Sequence, residues 1–482
     1  MPNKTSLKST ATKGMFWSAI DKFASQAGQF VIGIVLARLL MPKDFGLIGM
    51  LSIFLAISQS FISSGMGSGL IQKKNRTDVD FSTVFVFNFA VSVFFYLVLF
   101  FTAPLIADFY NMPQLVPITR VLTIIIVINS LAIVQRSRLT INIDFKVFAK
   151  VNVVSIILGG MLGVFFAYRG YGVWAIVIQS ISGATVSVLM LWYLSRWKPS
   201  VIFSKKSFKE LFGFGSKLLL AGLYATAFQN IYNITIGKIY SASELGFYTR
   251  AKSFAEMSSG SVSSILQQVT YPILASLQDD EDKMVSVYSR LIRMTSFFIL
   301  PVMTLFALLA DPFIRLLLGE KWVPVIVLLQ WMCFARIFYP ISAINMNILN
   351  AIGRSDLFLK VDLSKMPILI IALIITIPLG VKAIIIGHVV TSFISFFINA
   401  YMPGKLFGYG ALAQLKDMIP VFITTSVMAI IVFFAVLIIE NPFLKLIIGG
   451  FTGIGVYGLM SYLLKMEEVE EVKNLILKIR RR

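Results

Sequence analysis

Residues 14–46 read GMFWSAIDKFASQAGQFVIGIVLARLLMPKDFG, and residues 217–246 read KLLLAGLYATAFQNIYNITIGKIYSASELG. Shifting the second stretch by 200 sets Gln229 on Gln29, Ile234 on Ile34, Lys238 on Arg38, Glu244 on Asp44 and Gly246 on Gly46. Each copy is an apolar run with amides or charges inside it. A helix of that kind opening each half of a membrane protein is where a transported substrate is expected.

The rest of the chain fits this reading. Its 482 residues are 57% hydrophobic, and the mean hydropathy is +0.84. Apolar runs of about 20 residues recur from end to end, each long enough to cross a hydrocarbon core of about 30 Å. The fold class is therefore an all-α polytopic membrane protein. The strict alternation of a transmembrane β-barrel is missing.

A net charge of +20 could suggest nucleic acid, but Lys and Arg gather in alternate loops, which is the positive-inside pattern. Cys333 is the single cysteine and lies in an apolar run, which excludes a disulfide framework and a thiolate metal site. No cofactor or metal is expected. The opening MPNKTSLKSTATKG is basic and leads straight into a long span, so no cleaved signal peptide is expected.

Spans are expected at 15–40, 45–71, 81–107, 115–138, 147–168, 172–194, 213–239, 246–274, 288–310, 322–350, 356–379, 382–402, 418–439 and 443–464. Fourteen crossings put both termini on one side. Lys73, Lys74, Arg76, Arg136, Arg138, Lys146, Lys150, Lys205, Lys206 and Lys209 fall on that same side, which the charge rule makes cytoplasmic. The expected organisation is an N-lobe of six helices (1–197), a basic cytoplasmic linker (198–212) and a C-lobe of six helices (213–404). Two further helices (405–465) and a cytoplasmic amphipathic tail helix (466–482) follow. Because six is even, the lobes are parallel repeats.

Charges inside spans are costly and face a cavity or a partner. The cationic and amide candidates for substrate binding are Lys22, Lys217, Arg250, Lys252, Arg336, Gln29 and Gln229; the carboxylates available for ion coupling are Asp21, Glu256 and Asp362. Glu256 and Arg336 lie closest to the midplane by residue count. Lys252 and Glu256 are spaced to neutralise one another on one helix. Arg336 has no acidic neighbour in sequence and needs either a partner on another helix or an anionic ligand. The cationic excess suits an anionic substrate such as a phosphate or diphosphate. His388, the only histidine, reads as a packed residue. No Walker motif is present, so ATP hydrolysis by this chain is excluded.

LARLLMPKDFGLIGM (36–50), GMGSGLIQKKN (65–75), ASELGFYTRA (242–251), VTYPILASLQDD (269–280), LLLGEKW (316–322) and NAIGRSD (350–356) follow in order along the chain. On these segments it resembles the bacterial oligosaccharide flippases of the multidrug/oligosaccharidyl-lipid/polysaccharide exporter superfamily. The nearest likeness is to the colanic-acid and O-antigen type of lipopolysaccharide biosynthesis proteins.

The resemblance implies a non-enzymatic flippase of the bacterial inner membrane. It would carry undecaprenyl-diphosphate-linked oligosaccharide from the cytoplasmic to the periplasmic leaflet by alternating access. Membrane lipids, a polysaccharide polymerase and chain-length machinery are the other partners it implies. Relatives often carry Asp before the xIG segment of the seventh span, where this chain has Tyr232. The competing readings are an ion-coupled multidrug exporter, which calls for an acidic cavity, and a membrane polymerase, which calls for a large loop bearing carboxylates.

Overall fold

The computed structural model describes residues 4–63, 66–200, 202–277 and 279–480. Among them every regular element is helical: α1 Lys4–Leu39, α2 Pro42–Ser63, α3 Met66–Gln72, α4 Asp78–Tyr110, α5 Leu115–Leu122, α6 Ile124–Ser130, α7 Ile133–Ile141, α8 Phe145–Tyr168, α9 Val173–Ser195 and α10 Lys205–Ile239. After these come α11 Ala242–Ala275, α12 Glu281–Leu308, α13 Ala310–Leu317, α14 Pro324–Ala351, α15 Ser355–Ser364, α16 Met366–Thr376, α17 Val381–Phe407, α18 Ala411–Leu437, α19 Pro442–Leu463 and α20 Glu467–Arg480. The packing divides into two compact units, with the break inside α11 between Thr249 and Arg250.

Ten stretches are long and apolar enough to cross a membrane, counted over the described residues. They match ten of the expected spans. The expected spans at 15–40, 213–239 and 246–274 correspond to the long helices α1, α10 and α11, which fall outside that count. The span expected at 356–379 is not one helix. It breaks between Ser364 and Lys365, with Pro367 in the first turn of α16, where a missing N–H costs nothing. The span expected at 115–138 is likewise three segments, α5, α6 and α7. Its second break leaves the Leu131 carbonyl outside the helical ladder, and the Trp192 indole N–H of α9 donates to it at 2.8 Å.

Lipid offers no water to an orphaned carbonyl, so each interruption of a helix needs a donor from elsewhere in the protein. Two prolines show this directly. Pro104 in α4 cannot donate to Phe100, and the Arg120 Nε fills that place at 3.3 Å, with the guanidinium 4.6 Å from the Phe100 ring. Pro301 in α12 cannot donate to Phe297, and the Tyr457 hydroxyl of α19 does so at 2.7 Å.

The first unit is held by close helix pairs. A Cβ at Gly159 of α8 would stand 2.9 Å from both the Gln179 carbonyl oxygen and the Gly183 Cα of α9. Only glycine permits that approach. α10 packs on α2, α3 and α4, so the packing boundary falls later in the chain than the basic linker. Polar glue joins α10 to α2: Ser52 bonds Asn230 at 3.2 Å and Asn233 at 3.0 Å, and Ser60 bonds Thr226 at 3.1 Å.

At the end of that bundle, outside the spans, Lys73 lies 2.9 Å from Asp80 and 3.0 Å from Glu210. Partial burial pulls the Lys73 ammonium down, but its bonds to Asp80 and Glu210 outweigh this and leave its pKa raised. Asp80 and Thr77 also form the capping box that starts α4.

In the second unit, a closed triangle of Tyr288, Asn345 and Gln414 joins α12, α14 and α18. Tyr288 donates to Asn345 Oδ1, Asn345 donates to Gln414 at 3.1 Å, and Gln414 donates to Tyr288 at 3.0 Å. The tail helix α20 is tied to α12 by Glu467–Arg293 at 3.1 Å and Glu471–Arg290 at 2.5 Å.

Candidate functional site

Two polar centres stand out, one in each unit. In the first unit a cavity of about 470 Å³ opens among α1, α6, α7, α8 and α9. α1 contributes Ser25 and Gln29, α6 contributes Asn129, α7 contributes Arg136, α8 contributes Asn152, and α9 contributes Gln179, Ser180 and Ser187. Glycines 159, 160 and 183 complete the wall and keep the helices near enough to share one space. Asn152 donates to Asp21 Oδ1 at 2.9 Å, and the Ser25 hydroxyl donates to the same oxygen at 3.3 Å. Arg136 is exposed to the space it lines and reaches Ser187 Oγ at 3.4 Å. This arrangement offers many hydrogen-bonding groups of both kinds around a single cation.

In the second unit Arg336 of α14 donates to Glu256 of α11. The guanidinium also stands 5.1 Å from the Tyr339 ring. Its side chain is 13% exposed and that of Glu256 42%. Lys252 and His388 lie within electrostatic reach of this pair. Arg250, at the start of the unit, sits over the rings of Trp322 and Phe254 at 5.8 and 6.0 Å. The cluster therefore gathers two cations and one carboxylate on α11 and α14, with the histidine from α17.

Of the residues singled out from sequence, Gln29 lines the first cavity and Asp21 is bonded from its wall, with Lys22 half-buried beside it on α1. Gln229 is exposed on α10 and lies outside that cavity. Lys252, Glu256 and Arg336 are brought together in the second unit, while Arg250 sits against Trp322 and Phe254. Asp362 is bridged at 2.6 Å to Lys365, three residues on. The side chain of Lys217 lies outside the described residues. Tyr232 is buried and stacks on Tyr248 at 6.3 Å.

By sequence Arg336 needs either a partner on another helix or an anionic ligand. The structure supplies the partner. Glu256, spaced to neutralise Lys252, bonds Arg336 from another helix. Arg136 is the candidate residue that sequence reasoning missed. It reads as one more cytoplasmic loop cation, yet it sits inside α7 and faces a cavity. The cluster of small residues opposite it on α8 and α9 was the available signal.

Among the described residues no group of His, Cys, Asp and Glu could hold a metal. Cys333 is fully buried.

Comparison with known proteins agrees with this architecture. Over 428 residues the chain is 24% identical to the teichuronic acid biosynthesis protein TuaB of Bacillus subtilis (strain 168), covering 87% of this chain and 88% of the relative. It is 23% identical over 376 residues to the lipopolysaccharide biosynthesis protein WzxC of Escherichia coli (strain K12), covering 77% and 76%. The lipid II flippase MurJ in its inward closed conformation superposes with a TM-score of 0.76 at 17% identity, covering 93% of this chain and 98% of that one. Residues 35–327 match the family model described as polysaccharide biosynthesis protein. The chain is a multi-pass membrane protein with the fold of a flippase, and it belongs to the polysaccharide biosynthesis protein family.

Proposed function

We propose that this chain flips undecaprenyl-diphosphate-linked oligosaccharide repeat units from the cytoplasmic to the periplasmic leaflet of the inner membrane, for surface polysaccharide assembly. In this reading fourteen helices form two six-helix lobes and an added pair, both termini are cytoplasmic, and transport proceeds by alternating access. The observation that carries it is the pair of cations Lys252 and Arg336 against the single carboxylate of Glu256, with Arg250, earlier on α11, assigned to the same path. Charges at that depth in a span are retained for a pathway, and an excess of cations is what a diphosphate requires. Lys22, Lys217, Gln29 and Gln229 are assigned to the same path, with Asp21, Glu256 and Asp362 as the carboxylates that would carry an ion. The names of TuaB, a teichuronic acid biosynthesis protein, WzxC, a lipopolysaccharide biosynthesis protein, and MurJ, a lipid II flippase, support this reading.

The test is the leaflet in which lipid-linked oligosaccharide accumulates when the protein is depleted. Accumulation facing the cytoplasm supports flipping. Unpolymerised product facing the periplasm means that a later step failed and the reading is wrong. Arg336→Ala and Arg250→Ala should each abolish surface polysaccharide while the protein stays folded and inserted.

A further inference from the structure

The proposed path uses Gln29 of the first unit but leaves the rest of that unit's cavity without a role. That cavity differs in kind from the cluster of the second unit. It holds amides and hydroxyls in number, and Arg136 is the one charged residue among the residues lining it.

We propose that this cavity is a saccharide subsite holding one acidic sugar residue, its carboxylate on Arg136 and its hydroxyls on the amides of Gln29, Asn129, Asn152 and Gln179. The assignment rests on the flippase reading and adds to it the chemistry of the cargo. A space of about 470 Å³ falls within the range of about 300–1,000 Å³ typical of small-molecule sites. Amide side chains present a donor and an acceptor together, which matches the paired hydroxyls of a sugar ring. Gly159, Gly160 and Gly183 let α1, α8 and α9 approach closely enough for their polar side chains to share one wall.

The charge balance selects a monoanion. A guanidinium carries five donors in a planar fork that fits a carboxylate. Among the described residues Arg136 makes one side-chain hydrogen bond, the 3.4 Å contact to Ser187, so most of that fork is available to a ligand. Asp21, held by Asn152 and Ser25, already offsets part of the Arg136 charge. The site can therefore take at most one anionic group, met directly by the guanidinium fork, and a diphosphate exceeds what one cation can meet.

The test uses the full chain in phospholipid nanodiscs, with binding read by calorimetry and saturation-transfer NMR and with no transport required. The probes are a tetrasaccharide carrying one glucuronate, its neutral glucose counterpart, and inorganic phosphate as competitor. The acidic tetrasaccharide should bind about 10- to 100-fold more tightly than the neutral one. Arg136→Gln should erase that difference, and Arg136→Lys should restore part of it. Gln179→Ala should weaken both saccharides alike while the preference for acid remains, which separates lost contacts from a misfolded protein.

Equal binding of the two saccharides, no binding of either to folded protein, or an acid preference that survives Arg136→Gln overturns the proposal. Displacement of the acidic saccharide by phosphate at comparable concentration also overturns it, because the anion would then be the lipid linkage. The flippase reading stands or falls separately. If acidic saccharide binds but depletion strands no lipid-linked oligosaccharide on the cytoplasmic face, that reading fails and the subsite remains.

Discussion

Gly46 abuts the carbonyl of Ala242, where any Cβ would overlap the oxygen, and the relationship is reciprocal: Gly246 abuts the carbonyl of Pro42 in the same way. The two glycines occupy matching positions in the two sequence copies, as do Pro42 and Ala242. The first turns of α2 and α11 therefore cross with backbone against backbone, an approach open only to glycine. Gly46→Ala and Gly246→Ala should each force the helices apart and cost about 1–3 kcal/mol. Thermal unfolding in nanodiscs measures this, and an unchanged midpoint in both variants would contradict the crossing.

The Arg336–Glu256 pair is half-screened on its acidic side, which discounts its worth relative to a fully buried pair. Removing one partner leaves the other charge in the span, and Glu256→Gln or Arg336→Gln alone should cost about 2–3 kcal/mol, at the low end for buried pairs. The double variant should cost less than the sum of the two. A double-mutant cycle on unfolding checks it, and strict additivity would mean that the two side chains do not interact.

Tyr457 supplies the hydrogen bond that Pro301 denies to the Phe297 carbonyl. Tyr457→Phe keeps the ring and strands that carbonyl, at an expected cost of about 1–3 kcal/mol. The companion Tyr457→Phe/Pro301→Ala restores an in-helix donor and should recover most of the loss. No recovery would show that the hydroxyl matters for another reason.

Lys73 has a raised pKa from its bonds to Asp80 and Glu210, outside the spans. A cation whose folded value lies above its unfolded one contributes its full stability below the unfolded value of 10.5 and loses it as pH rises through the folded value. Hydrogen exchange near the start of α4 should therefore quicken above pH 10.5 in the wild type. In Lys73→Met that pH step should be absent.

Two ion pairs moor α20 to α12. Glu467→Lys with Glu471→Lys should release the tail, seen as faster limited proteolysis between α19 and α20. Adding Arg290→Glu and Arg293→Glu should restore protection. An amphipathic helix held only by the membrane surface would respond to neither change.

Much of this protein could be read from the chain alone. The membrane class, the all-helical fold, the family and ten apolar spans follow from hydropathy and short segments, because those signals are local: a run of about 20 apolar residues needs a bilayer whatever surrounds it. The polar residues of α1 and α11 were also visible, since a charge in an apolar run is conspicuous by itself. Tertiary packing decided what those charges do. Glu256 had Lys252 one turn away, yet it bonds Arg336 from 80 positions on, because α11 and α14 place the two side chains face to face. Arg136 read as a loop cation until the breaks on either side of α6 and the glycine-lined approach of α8 to α9 enclosed it in a cavity. The donors for the Phe100, Leu131 and Phe297 carbonyls come from residues 20, 61 and 160 positions away. A helix interruption announces in sequence that a carbonyl is free, but only the packed structure says which side chain reaches it.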